Sequence, residues 1–407
     1  MSDFDRGAVI RYFQWGANQQ TGDYMRTGSE TSARIPSLDG LRAVAIALVL
    51  AGHSKGTQHF HLEWKAPIAE FGVRVFFVLS GFLITSLLLK ELELTGRISL
   101  KNFYLRRVFR IFPASYTYIL IIAVLAASRL IVLNAHDLVH AATYTCDYYA
   151  GRGWYVGHLW SLSVEEQFYL LWPFTLCLAG RKRGMLIAAI ACLAVPLIRV
   201  GEFAFVPSAR PGLGDHFETV ADSMAVGCLL AGIRDRLSRH RGYIRFLSSP
   251  FFALVPVLTM AMCVLPLQLR FRFTIEDPLM NLGIALCLDA AMRFSLHPIA
   301  KILNWRPVVF VGVLSYSLYL WQQPFLDRYS SSPLAAFPLN MSLAFGAALL
   351  SYYIVERPFL GLKQRFESPR VKVAAAATAR EDFVETRSGT GVAVEQHGKL
   401  GSSDRIA

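Results

Sequence analysis

Charge is scarce in this chain. Only 17% of its 407 residues are Asp, Glu, Lys or Arg, while 54% are hydrophobic. A soluble domain carries about 25% charge, so a string of water-soluble domains is excluded despite the length. Cysteine pairing is also missing. Cys146, Cys177, Cys192, Cys228, Cys263 and Cys287 include no C-x-x-C pair, and no Cys/His cluster appears. A disulfide framework or zinc site is thereby unsupported, and neither metal nor bound cofactor is expected. Five of the six lie in apolar runs, where a thiol behaves as a small hydrophobe. G-x-S-x-G, the signature of a serine hydrolase elbow, is absent. No internal repeat stands out. About 34 mixed residues precede the first apolar stretch, the wrong order for a cleavable signal peptide. The first span is expected to act as its own insertion signal.

What the chain does have is long apolar runs. They recur at about 40–58, 68–89, 113–134, 159–180, 184–201, 217–234, 250–267, 278–294, 308–327 and 335–355, each near the ~20 residues that cross hydrocarbon. The expected fold is therefore all-α, a polytopic integral membrane protein with about ten transmembrane helices. The net charge of +12 gathers in alternate loops. Lys90, Arg97, Lys101, Arg106, Arg107 and Arg110 follow the second run, Arg181–Arg183 the fourth, Arg234–Arg245 the sixth, and Arg293, Lys301 and Arg306 the eighth. The opposite loops are poorer, with Arg152, Arg199, Arg210, Arg270, Arg272 and Arg328 among their few basic residues. By the positive-inside rule both termini are cytoplasmic. Basic residues so placed set topology, and nucleic-acid binding is not expected. Residues 1–35 read as a cytoplasmic tail, 36–360 as the transmembrane domain and 361–407 as a disordered cytoplasmic tail. Ile98–Pro113 reads as an amphipathic helix in the cytoplasmic interface, with Pro113 marking the turn into the third span.

Ionisable residues within spans are costly and usually face a cavity or partner. Arg42 and His53 are eleven positions apart in "LDGLRAVAIALVLAGH". At 3.6 residues per turn this is three turns plus about 20°, so both lie on one helix face with a rise of ~16 Å. Asp39, three residues before Arg42, can pair with it or cap the helix. Two readings stand: a topology anchor with an interfacial histidine, or a cation holding an anionic donor at one mouth and an imidazole for proton transfer further in. Glu70 and Arg74 read as an i,i+4 ion pair, and Ser80–Gly81 as a close helix approach. Adjacent Glu165 and Glu166 point about 100° apart on a helix, so at least one needs a polar partner. Glu165 is a candidate to orient a histidine base, against an interfacial belt as the alternative. Tyr316, Tyr319 and Trp321 near Gln322 and Gln323 suit either aromatic packing or a carbohydrate groove.

These motifs together resemble the membrane-bound acyltransferase family 3, bacterial O-acyltransferases of surface glycans. The resemblance runs over residues 36–360 through "LDGLRAVAIALVLAGH", "FFVLSGFLIT", "FYLRRVFRIFP", "LWSLSVEEQFYLLWP", "LSYSLYLWQQP" and "VERPF", in the expected order. It implies an O-acyltransferase of the bacterial cytoplasmic membrane, moving an acyl group, often acetyl, from cytoplasmic acyl-CoA to a hydroxyl of a glycan or glycolipid at the outer face. Acyl-CoA would be a co-substrate. The resemblance places the functional pair on Arg42 and His53, further donor-side arginines on Arg107 and Arg110, and the acidic motif on Glu165. His53 would be the base, with Glu165 catalytic; Arg42, Arg107 and Arg110 would bind the donor; Tyr316, Tyr319 and Trp321 would bind the acceptor. One departure stands out: the family motif commonly has a histidine where this chain has Gln322. The family's optional C-terminal hydrolase-like domain is not expected here. Two other classes compete: a transporter or flippase of a lipid-linked sugar, using the same charges for ion coupling, and a non-catalytic partner of a glycan assembly complex.

Overall fold

The computed structural model describes residues 35–62, 67–263, 271–294 and 298–363. Both expected tails, 1–35 apart from its last residue and 361–407 beyond its first three residues, lie outside that range. Among the described residues all regular structure is helical, with no strand. The main helices are α1 (Pro36–Ser54), α2 (Ile68–Thr95), α3 (Leu100–Ala127), α4 (Ala135–Thr143), α5 (Trp154–Gly157), α6 (Leu159–Phe205) and α7 (Phe217–Arg239). They are followed by α8 (Arg241–Leu247), α9 (Leu254–Met262), α10 (Asp277–Arg293), α11 (Pro298–Leu303), α12 (Arg306–Trp321), α13 (Leu339–Ser351) and α14 (Arg357–Lys363).

Each of the ten apolar stretches overlaps helix among the described residues, two of them sharing α6. By length and composition, five described helices can cross a bilayer: Pro36–Ser54, Ile68–Thr95, Leu100–Ala127, Trp154–Phe205 and Leu339–Leu362. Arg241–Leu247 and Pro250–Met262, bent by 59°, make a sixth if they form one span. Of the helices that fall short, α12 is apolar but short, and two others carry buried charge. α7 and α10 carry Asp222, Asp277 and Asp289, each almost wholly buried and each paired with an arginine. Paired charge lowers the hydropathy of a helix without exposing it.

α6 holds two of the expected spans, folded back on each other. Gly180 has φ 71° and ψ 175°, a conformation essentially reserved for glycine. A Cβ on Gly184 would strike the Leu176 side chain, whereas eight residues of straight helix would separate them by about 12 Å. The turn therefore falls at "GRKR", where the charge pattern puts a loop.

Lipid gives no hydrophobic drive for helix association, so close approach of small residues matters. A Cβ on Gly81 would collide with the Met224 carbonyl, and one on Gly227 with the Val78 carbonyl, locking α2 against α7. α1 lies between α2 and α12, with Gly312 against the Asp39 backbone. Gly81→Leu should lower thermal stability in detergent by about 1–3 kcal/mol, the usual cost of overpacking, while Gly346→Leu, with open space around its Cα, should change it little.

Three local expectations are corrected. Pro113 does not end a helix: α3 runs through it from Leu100 to Ala127, because within a bundle neighbouring groups compensate the one lost hydrogen bond. Glu70 and Arg74 do not form an ion pair. Arg74 lies 2.7 Å from Asp277, and Glu70 lies 2.7 Å from Arg272. A buried guanidinium gains more from a buried carboxylate than from the half-exposed Glu70. Arg199, expected in a loop, sits inside α6 with 0% exposure. Its Nη2 is 2.8 Å from Asp222 and its Nη1 is 3.3 Å from Asp277. Asn281 bridges the set, donating to Asp222 and accepting from Arg74. Two arginines and two aspartates thus join α2, α6, α7 and α10.

Candidate functional site

α1 carries both ends of the site. At its C-terminal end His53 turns inward, and its Nδ1 lies 2.9 Å from Gln322 Oε1. An amide oxygen only accepts, so Nδ1 carries the proton and Nε2 is left with its lone pair. The ring meets Trp154 edge-on, centroids 6.2 Å apart. Trp154 is itself held twice: its indole N–H donates to the Gln323 carbonyl, and Gln323 Nε2 donates to the Trp154 carbonyl, both at 2.9 Å. Arg328 and Tyr329 flank it, the guanidinium 5.1 Å and the phenol ring 5.8 Å from the indole centroid. The imidazole thus sits just inside an aromatic rim.

His158 lies buried between the rings of Tyr118 and Tyr319, within electrostatic reach of His53. Seven residues along α6, about 10 Å of helix, comes Glu165. Its Oε1 accepts from Ser80 at 2.6 Å, and Ser80 accepts from Tyr169 at 3.0 Å. The backbones of α1 and α2 run in opposite directions, with Gly52 against Ala69 and Gly72 against Ala45. Ser80 therefore lies toward the Arg42 end.

At that end Arg42 pairs with Asp39 at 3.3 Å. Asp39 does not cap the helix; Ile35 occupies that position. Arg107 stacks on Tyr169, Cζ 3.9 Å from the ring centroid, and its buried Nε has no partner among the described residues. Arg110 lies within electrostatic reach of Arg42, Arg107 and Glu356, and Glu165 within reach of Arg107 and Arg42. Glu356, from "VERPF", accepts from Ser317. The structure thus brings Arg42, Arg107, Arg110 and Glu165 into one neighbourhood. His53 lies further along, bonded to Gln322, while Glu165 is bonded to Ser80.

The three aromatic candidates lie inside the bundle. Tyr316 donates to the Ile111 carbonyl at 2.8 Å. Tyr319 donates to the His158 carbonyl at 2.6 Å and accepts from Ser161. Trp321 packs on Tyr118, centroids 5.3 Å apart, and its buried Nε1 has no partner among the described residues. Residues at the His53 mouth that the motifs did not single out are Trp154, Arg328 and Tyr329. Nothing in their spacing marks them, because they come to His53, or to Trp154 beside it, only through the packing of α5 and the segment after α12. No group of three His, Cys, Asp or Glu side chains suited to a metal ion occurs among the described residues.

The family model described as an acyltransferase domain matches residues 35–356. A protein of Staphylococcus aureus (strain COL), assigned by inference as an O-acetyltransferase, is 31% identical over 80% of this chain and 57% of its own length. A Bacillus subtilis (strain 168) protein, likewise assigned by inference as a peptidoglycan O-acetyltransferase, is 29% identical over 80% of this chain and 54% of its own. The O-acetyltransferase OatA of Staphylococcus aureus (strain NCTC 8325 / PS 47) is 28% identical over 83% of this chain and 59% of its own. The chain therefore spans little more than half the length of these relatives. No solved structure matches it. The matched model covers nearly the whole described bundle, from the start of α1 to Glu356, and the chain belongs to the acyltransferase 3 family.

Proposed function

We propose that this protein is an integral-membrane O-acyltransferase. It moves an acyl group, acetyl in the first instance, from acyl-CoA at the Arg42 end to a hydroxyl of a glycan or glycolipid at the His53 end. The reading includes ten spans in the bacterial cytoplasmic membrane with both termini inside, so that the Arg42 end is cytoplasmic. One observation carries it: Arg42 and His53 both turn inward from α1, one toward the arginine cluster and the other toward Gln322. Support comes from the named relatives, one an O-acetyltransferase and two assigned as such by inference.

Arg42, Arg107 and Arg110 offer planar guanidinium donors to the phosphates of coenzyme A. The acyl arm then follows α1 toward His53. There Nε2 takes the proton of the acceptor hydroxyl as oxygen attacks the thioester carbonyl. When the C–S bond breaks, the proton passes to the thiolate. Glu165, held by Ser80 and Tyr169 between the two ends, balances the arginines. The half-buried Trp154 and exposed Tyr329 offer sugar-stacking surfaces at the mouth. A flippase would draw support from broken spans in two matching halves; α8–α9 is a single bent pair among the described residues.

Arg42→Ala and Arg107→Ala should each weaken coenzyme A binding roughly 10- to 100-fold, the worth of a charge-assisted hydrogen bond, with acceptor binding unchanged by titration calorimetry. An equal loss for both ligands indicates misfolding. The function itself is tested with purified protein and labelled acetyl-coenzyme A. Label is expected in the glycan whose acetylation, by mass spectrometry of cell-surface material, depends on this protein. If no surface glycan gains acetyl groups with the protein present, the reading fails.

A further inference from the structure

Three consecutive residues at the end of α12, one of them bonded to His53, carry a buried polar atom with no partner among the described residues: Trp321 Nε1, Gln322 Nε2 and Gln323 Oε1; both nitrogens of the nearby His158 are likewise unpartnered there. Gln322 is 0% exposed, and an unpaired buried donor costs about 1–3 kcal/mol. Its amide is half used: Oε1 accepts from His53, while Nε2 keeps two N–H groups for something else. Because Oε1 is held at 2.9 Å from His53, the idle Nε2 is fixed beside the same imidazole. A polar ligand atom belongs there, and a thioester carbonyl oxygen matches a donor that is rigid, neutral and screened from water.

Resting on the acyl-transfer reading, we infer that Gln322 is a catalytic residue whose Oε1 orients His53 and whose Nε2–H holds the carbonyl oxygen of the acyl group as it becomes an oxyanion. The acceptor oxygen bonds to the carbonyl carbon, and its proton goes to His53 Nε2. The carbonyl π pair moves to oxygen, where the Gln322 N–H receives it. Collapse restores the C=O bond and breaks C–S; the sulfur leaves with the proton from His53. No further reactant is needed. One amide thus serves base and oxyanion together, at the position where the family motif commonly has histidine.

The two roles separate by substitution. Gln322→Glu keeps an oxygen acceptor for His53 but has no N–H; Gln322→Met has neither. In nanodiscs with labelled acetyl-coenzyme A and chitotetraose, both variants should lose about 10²–10³-fold in kcat, the usual effect of removing one oxyanion donor, with the donor KM within about threefold of wild type. A Gln322→Glu enzyme that keeps wild-type kcat overturns the oxyanion role and leaves orientation alone. A second measurement needs no turnover. Acetyl-coenzyme A labelled with 13C at the carbonyl, bound without acceptor, should show a carbonyl stretch lowered from its free value in wild type. That lowering should vanish in Gln322→Met protein of unchanged coenzyme A affinity; the same band in both proteins overturns the assignment. Failure of wild type to label chitotetraose bears on the function and the acceptor, while the carbonyl band still decides Gln322.

Discussion

His53→Ala is expected to slow acyl transfer by about 10²–10⁴-fold, the usual contribution of a positioned general base. Coenzyme A affinity should stay within about twofold, because the arginines proposed to bind the donor cluster around the Arg42 end of α1, ~16 Å of helix away. With Nδ1 held by Gln322, proton transfer on the proposed mechanism falls to Nε2. The loss should therefore appear in kcat, with little change in the donor KM, since on the proposed mechanism the imidazole acts in the transition state and not in donor binding. Release of free coenzyme A measured with a thiol reagent, beside label appearing in glycan, gives both numbers. Trp154 packs edge-on against the ring, so His53→Gln, closer in size than alanine, checks that lost packing is not the cause. Unchanged transfer in both variants would remove His53 from the chemistry.

Arg199→Met should produce the largest stability loss, about 3–5 kcal/mol, the cost of breaking a buried ion pair from one side. Arg199 has no solvent exposure and reaches Asp222, Asp277 and the Thr219 carbonyl. Without it the two carboxylates share only Arg74, which is paired with Asp277. The loss should appear as a large drop in unfolding temperature, followed by size exclusion of heated samples in detergent. Arg199→Met combined with Asp222→Leu should recover much of it, because removing both partners leaves no uncompensated charge. If the double variant is no more stable than the single, the network is not a charge-balanced unit. The two large predictions are separable: His53→Ala should unfold like wild type, and Arg199→Met should lose activity only as it loses fold.

The contrast between Arg42 and Arg199 explains how far sequence reading goes in a membrane bundle. Both are lone arginines near the end of an apolar run. Arg42 has Asp39 three residues before it and His53 three turns on, so local spacing marks it, and the structure pairs it with Asp39. Arg199 has no local partner; its aspartates come from α7 and α10, 23 and 78 positions away. Counting it as loop charge followed naturally and missed a buried hub. Glu70 and Arg74 fail the other way: the spacing is right for a pair, but each finds a better-placed partner across the bundle. Pro113 shows the same limit for backbone, because a rule learned in water overstates what one missing hydrogen bond does inside packed helices.

Composition and periodicity alone determined that the described residues form helices with apolar spans, that a turn falls at "GRKR", and that Arg42 and His53 share one side of a helix. Those features depend on residues a few positions apart, and a helix converts such spacing directly into geometry. The partner of His53 was decided only when α1 packed beside α12, 269 residues later in the chain, and so was the placing of Glu165 on Ser80. Side chains that meet across a bundle are chosen by which helices touch and how closely their glycines let them approach, and no local pattern encodes that.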